Sequence, residues 1–174
     1  SATFFLIGQK AKKYPELVKK IFQAGHEIGN HTYSHIELIK VESMDVKTEI
    51  QKTREIIKEI TGHTTVLFRP PWGRFDNRSL QELAFRKFET ILWSVDSRDW
   101  SSPGVSVIKK NILSHVRNGS IIVCHDGNSQ IVSALPKIIK ALKKKGYEFV
   151  TIPKMIASLM PEDQKWPNLS LDFT

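Results

Sequence analysis

A single cysteine, Cys124, excludes any disulfide within the chain and leaves the compartment open. No run approaches the roughly 20 apolar residues that a membrane-crossing helix needs. No signal peptide is visible. No GxGxxG-type loop follows an apolar run, which lowers the case for a nucleotide. There is no internal repeat and no low-complexity tract. Acidic residues are the minority: 18 Asp and Glu face 26 Lys and Arg, a net charge of +8. Such an excess can serve nucleic acid, an anionic cell envelope or an acidic substrate. The lysines are spread out, however. Their densest group (Lys137, Lys140, Lys143, Lys144, Lys145) is interleaved with Ile138, Ile139, Ala141 and Leu142. That pattern is the wet side of an amphipathic helix, so no nucleic-acid partner is expected.

What is present is an ordinary globular chain of 174 residues, enough for one domain. Apolar runs alternate with amphipathic stretches. "ATFFLIG" reads as a buried strand, then "YPELVKKIFQAG" as a helix with Leu17, Ile21 and Phe22 inward. "HEIGNH" is a strand, and 43–62 a long helix striped by Val46, Ile50, Ile56, Ile57 and Ile60 and stopped by Gly62. "TVLFRPPWG" is a strand entering a proline-stiffened loop. Ser79 with Glu82 forms a capping box for the next helix. "ETILWSVD", "GSIIVCHD" and "YEFVTI" complete six strands, separated by the helices "VSVIKKNILSHV" and "IVSALPKIIKALKKKG", the latter kinked or begun near Pro136. "PKMIASLM" is the last helix. Strand–helix alternation predicts an α/β fold with parallel strands, as a barrel or a doubly wound sheet.

The reactive residues fall at strand ends. His31 and His35 follow "HEIGN", Arg69 to Gly73 follow "VLF", Asp96, Asp99 and Trp100 follow "ILWSV", and His125 with Asp126 follows "IIVC". In parallel α/β folds those ends build active sites. Two histidines four apart can share one ion, though Thr32 stands where HExxH would put its glutamate, so this is no zincin. Two ligands are one short of a catalytic zinc site. His125 fits a general acid or base, and equally a packed histidine. Asp96 or Asp99 can hold its tautomer. Arg69 with Pro70 and Pro71 makes either a rigid loop with backbone N–H groups for an oxyanion or a plain turn. Trp72 and Trp100 suit a sugar-stacking wall or core packing. His26, His63 and His115 read as structural or surface, and Cys124 as a small hydrophobe.

Taken together, "HTYSH", "FRPPWG", "WSVDSRDW" and "IIVCHD", in that order, resemble motifs two to five of the NodB-homology polysaccharide deacetylases, carbohydrate esterase family four. "ATFFLIG" resembles the strand after the family's first motif. The resemblance covers residues 1–158, within a catalytic domain set at 1–160 and followed by an extension at 161–174. It implies a deformed (β/α)7 TIM-like barrel (the NodB fold). It also implies a divalent metal, zinc first, with cobalt, nickel or manganese suited. The implied reaction removes acetyl groups from N-acetylglucosamine polymers, peptidoglycan or chitin. His31 and His35 would be metal ligands and His125 the acid that protonates the leaving amine. Asp99 would tune His125, with Asp96 the less favoured candidate, and Arg69 would orient the base. Trp72 N–H, beside Pro71, would hold the oxyanion; Trp100 and Val123 would shape the acetyl pocket. Trp72 and Val123 stand where the family commonly has Tyr or Phe, and Leu. An O-acetyl esterase acting on xylan and a non-catalytic sugar-binding relative are the alternatives.

The resemblance also locates what is missing. The family's first motif, T-F-D-D-G, supplies the general base and the third metal ligand just before the first strand, and the sequence opens at "SATFF". We expect the first barrel strand, and any export signal or anchor, in an upstream segment of the same protein, which would act outside the cell or at its envelope. The 174 residues alone are expected to bind metal weakly and to release almost no acetate; robust deacetylation by the isolated chain would overturn that expectation.

Overall fold

A computed structural model describes residues 1–159. The expected extension at 161–174 lies outside the described residues. Contacts divide the chain into two compact units, one of 1–92 and the segment from Val150, the other Trp93–Phe149.

The first unit carries a four-stranded parallel sheet in the order β1 (Thr3–Leu6), β2 (Glu27–Asn30), β3 (Leu67–Phe68), β4 (Glu89–Thr90). The crossovers are helical. Between β1 and β2 lie α1 (Gly8–Lys13) and α2 (Pro15–Gln23), with Pro15 at the first helical turn, where a missing N–H costs nothing. Between β2 and β3 runs α3 (Ser43–Thr61), ended as expected by Gly62, which takes φ 74° and donates to Lys58 O. Val18, not Leu17, is the buried residue of α2; Leu17 is exposed. Two apolar clusters fill this unit. One joins Ala11, Val18, Ile28 and Ile57; the other joins Leu38, Val46, Ile50, Phe68, Leu83 and Phe88.

α4 (Asn77–Phe85) starts earlier than the Ser79 cap predicts. Asp76 is the N-cap. Its carboxylate accepts from Ser79 N–H at 2.8 Å, and Ser79 Oγ accepts from Asp76 N–H at 2.9 Å. Ser79 is thus the third helical residue of a reciprocal capping box. Asp, a strong N-cap three residues upstream, takes the position.

The second unit pairs β5 (Val95–Asp96) with β6 (Ile122–Val123) in parallel. α5 (Val105–Leu113) and α6 (Ser129–Lys144) cover them around Val95, Ile108, Ile112, Ile131, Ala134, Ile138 and Leu142. α6 runs through Pro136, and all five clustered lysines are exposed on it or just after it. The expected strand "ETILWSVD" is two strands. Ile91 N–H donates to Phe68 O, whereas Ser94 and Val95 N–H donate to Ile121 O, so the backbone changes partner between them. The expected strand "YEFVTI" is irregular chain entering α7 (Ile152–Leu159). Tyr147 and Phe149 pack on the second unit's core, while Ile152 N–H donates to Thr3 Oγ1 in the first. Truncating Ile108, fully buried, to Ala should cost about 2–5 kcal/mol through lost burial and a cavity; the shift in urea midpoint, followed by tryptophan fluorescence, measures it.

Candidate active site

The first unit assembles its group where β2 and β3 end. Asn30, fully buried, closes β2. Its Nδ2 donates to Ile50 O of α3 at 2.8 Å and its Oδ1 accepts from Thr32 N–H at 3.0 Å. Thr32 is thereby bent to φ 63°, a conformation a β-branched residue rarely takes, and His35 to φ 61°. Each such residue costs about 1–3 kcal/mol, which the surroundings must offset. They do so through Gly8 and Gln9, whose N–H groups donate to Thr32 O and Tyr33 O, both at 2.9 Å. Any Cβ at Gly8 would meet Thr53 Oγ1 at 2.4 Å, so only glycine permits that approach. Glu49 of α3 holds the same loop. Its Oε2 accepts from Tyr33 and Ser34 N–H at 2.8 and 2.7 Å, and its Oε1 from Ser34 Oγ at 2.9 Å.

The result is a histidine pair with ring centroids 4.9 Å apart. His31 Nδ1 lies 2.6 Å from Arg69 O. A carbonyl only accepts, so Nδ1 carries the proton and the lone pair is on Nε2. A carbonyl that holds Nδ1–H in this way fixes both the tautomer and the orientation of the ring. Two imidazoles so held fit two ligand positions of a divalent ion. Among the described residues no group of three His, Cys, Asp or Glu forms a complete set.

Arg69 follows β3 and is 9% exposed. Its N–H donates to Asn30 O at 2.9 Å. Its guanidinium donates to Ile91 O and Leu92 O at 3.1 and 2.9 Å and lies 4.2 Å over the Phe5 ring. Burial pulls its pKa down to about 10, so it stays charged at neutral pH. Pro71, buried, begins a single turn, Pro71–Gly73, in which Trp72 sits at φ 55°. The turn's own hydrogen bonds come from Gly73 to Pro70 O and Arg74 to Pro71 O, not from Trp72 N–H. Trp72 is 57% exposed, and its ring centroid lies 4.4 Å from that of His35.

The second unit holds the other group. Asp99 is fully buried, and its carboxylate accepts from His125 N–H, His125 Nδ1 and Ser97 Oγ, each at 2.8 Å. Burial pushes the Asp99 pKa up, but the His125 ring, the His125 backbone and Ser97 outweigh it and hold the carboxyl below its usual range. The ionised oxygens only accept, so Nδ1 bears the proton and Nε2 is the other nitrogen of a side chain that is 50% exposed. Asp96 does something else: it accepts from Arg98 N–H at 2.8 Å and supports that residue's left-handed turn. Trp100 is 64% exposed, and Val123 is buried in β6. Burial raises the Cys124 thiol to about 11, consistent with packing rather than reactivity.

Thus His31, His35, Arg69, Pro71 and Trp72 gather in one unit, and Asp99, Trp100, Val123 and His125 in the other. Five of the six non-glycine residues with positive φ among the described residues (Thr32, His35, Trp72, Arg98, Ser102) lie in these loops. Sequence reasoning missed Asn30, Glu49, Ser97 and Asn128, which caps α6 and donates to Asp99 O. A polar Asn closing a buried strand was the available signal; a mid-helix glutamate gives none.

The depressed Asp99 pKa has a definite sign. Its stabilisation is complete above the unfolded carboxylate value, about 3.9, and is lost as pH falls through the lower folded value. Asp99→Asn should be less stable than the parent at pH 7, and the gap should narrow by pH 3. Urea midpoints at both pH values test this, and parallel pH profiles would remove Asp99 as a contributor.

Comparison with known proteins places the chain in a family. Residues 1–91 match the polysaccharide deacetylase family. A peptidoglycan-N-acetylglucosamine deacetylase of Bacillus cereus is 42% identical over 158 residues, covering 88% of this chain and 58% of the relative. A chitooligosaccharide deacetylase of Sinorhizobium fredii is 34% identical over 167 residues, covering 88% and 78%. The crystal structure of a family-four (CE4) pseudoenzyme from Bacillus anthracis superposes with a TM-score of 0.84 at 30% identity, covering 88% of this chain and 54% of that one. The chain therefore spans little more than half the length of some relatives and three quarters of others. With its mixed α/β fold and its ordered strand-end motifs, it belongs to the polysaccharide deacetylases, the NodB-homology proteins of carbohydrate esterase family four.

Proposed function

We propose that this chain carries most of the catalytic machinery of a metal-dependent deacetylase acting on N-acetylglucosamine polysaccharide. Peptidoglycan and chitooligosaccharides are the substrates named for its relatives. The observation that carries the reading is the buried Asp99 carboxylate, which takes both the ring and the backbone N–H of His125.

His31 and His35 would hold the ion, zinc first, with cobalt, nickel or manganese suited to the same imidazoles. When bound, such an ion polarises the acetamide carbonyl and acidifies water. Trp72, whose backbone is already turned to φ 55°, would direct its N–H at the oxygen as negative charge develops there. Trp100 and Val123 would border the acetyl group, and Pro71 keeps the turn stiff. Arg69 fixes the β3 end and the His31 tautomer. Water would add to the acetamide carbon and give up a proton to the general base; as the carbon–nitrogen bond then breaks, protonated His125 would give the Nε2 proton to the departing amine, and the acyl group would leave as acetate. Asp99 stabilises the imidazolium without taking the proton itself. Among the described residues no third ligand joins the histidine pair, and no residue is assigned as the general base.

A cell-envelope or extracellular setting goes with this substrate, and the net charge of +8 suits an anionic wall. No described helix is long and apolar enough to cross a membrane. The pseudoenzyme neighbour favours one rival, a non-catalytic sugar binder; the intact His31, His35, Asp99 and His125 speak against it. Acetate release from peptidoglycan and chitooligosaccharides by the full-length protein tests the proposal. His125→Ala should lower kcat by about 10²–10⁴-fold with little change in KM. A variant within threefold of the parent would remove His125 as the acid, and a zinc-loaded parent releasing no acetate from either substrate would favour the binder.

A further inference from the structure

We infer that Glu49 is a positioning residue for the histidine pair, setting the 31–35 loop so that His31 and His35 present their rings to one ion. The inference rests on the metal role proposed above and adds a residue that none of the four motifs contains. Glu49 lies mid-helix in α3 and is half-buried. Its two oxygens take three donors, all from Tyr33 and Ser34, the residues immediately before His35. Two consecutive backbone N–H groups converging on one oxygen hold the peptide planes on either side of the Tyr33 Cα at a fixed mutual angle. That restraint sits between Thr32 at φ 63° and His35 at φ 61°.

The loop's other ties do not replace it. Gly8 and Gln9 hold the carbonyls of Thr32 and Tyr33, and Asn30 holds Thr32 N–H. Thr32 gives no help through its own side chain, whose buried hydroxyl has no hydrogen-bond partner. Among the described residues, only Glu49 holds the N–H groups of the two residues that lead into His35. The same helix adds a second contact, Lys52 Nζ at 3.6 Å over the Tyr33 ring. α3 is itself fixed through Ile50, buried in the core, whose carbonyl takes the Asn30 amide. The helix thus acts as a ruler: its register in the core sets where the carboxylate stands, and the carboxylate sets the second histidine.

Placement rather than charge is the claim, and three variants separate them. Glu49→Gln can keep every bond, with its amide oxygen toward the two N–H groups and its NH₂ donating to Ser34 Oγ. Glu49→Asp keeps the charge but withdraws it by one methylene. Glu49→Ala removes both. Two readouts are taken on the full-length protein: amide exchange at Tyr33 and Ser34, and affinity for Zn²⁺ alone by competition with a chromophoric chelator. Exchange at Ile108 and Ile112 serves as the folding control.

We expect Ala and Asp to speed exchange at Tyr33 and Ser34 at least about tenfold and to weaken Zn²⁺ by about 10–100-fold, the usual effect of losing an outer-shell partner. Gln should stay within about threefold of the parent in both. Tyr33 and Ser34 amides as slow in Ala as in the parent overturn the inference. So does a loosened loop that binds Zn²⁺ as the parent does, and so does an order in which Asp matches Glu while Gln matches Ala. Should Ala lose the folding control, Asp against Gln decides alone. If the parent binds Zn²⁺ no better than a His31→Ala/His35→Ala double variant, the metal role itself fails, and the exchange data still report whether Glu49 holds the loop.

Discussion

Arg69 is the residue on which the first unit's site depends, and mostly through its backbone. Its N–H joins the end of β2 at Asn30, its carbonyl fixes the His31 ring, and its guanidinium ties down the carbonyls of Ile91 and Leu92. A cation nine-tenths buried is tolerated only if its donors are met, and here the carbonyls that β4 leaves behind meet them. The charge is therefore bound up with the fold. The guanidinium cannot leave without stranding the carbonyls, and the carbonyls cannot move without shifting the peptide that sets the His31 tautomer.

The second unit solves the same problem with the opposite charge. A buried carboxylate takes the donors of the next strand's end, and the burial penalty is outweighed by three hydrogen bonds. In both units a short parallel strand stops, the chain bends through a left-handed residue, and a buried charged group catches the loose backbone. Strands of two residues, such as β3, β5 and β6, supply little ladder of their own. Side-chain-to-backbone bonds at their ends make up for that, which is why structural and site residues are hard to separate here.

How much of this the sequence discloses follows from range. The histidine pair, "RPPWG" and the Asp before Trp100 lie in short contiguous stretches, so their order along the chain is visible without coordinates. For the partner of His125, spacing alone leaves Asp96 and Asp99 both open and the family resemblance favours Asp99; in the fold the turn at Arg98 separates the directions of the two carboxylates. The helix start at Asp76 is masked by a second capping pattern at Ser79. The break in "ETILWSVD" and the loss of "YEFVTI" as a strand depend on which neighbour each backbone group finds, a long-range fact that an apolar run cannot encode. Glu49 is hidden for the same reason. On a helical wheel it is one more solvent-side glutamate, and only the loop sixteen residues earlier gives it a task.

Exposure alone would have ranked the aromatic residues wrongly. Phe85, at 82%, is more exposed than Trp72 at 57% or Trp100 at 64%. Phe85, however, ends an ordinary amphipathic helix, has regular backbone and has the Arg86 guanidinium 5.8 Å from its ring. Trp72 is held at φ 55° in a turn stiffened by Pro70 and Pro71, with its ring against His35. A large aromatic in a left-handed turn is strained, and the strain persists only because the flanking prolines and the two turn hydrogen bonds leave the backbone no other path. What sets Trp72 apart is therefore the constraint beneath the ring. The chain spends conformational energy to hold an apolar surface against His35 and none on Phe85.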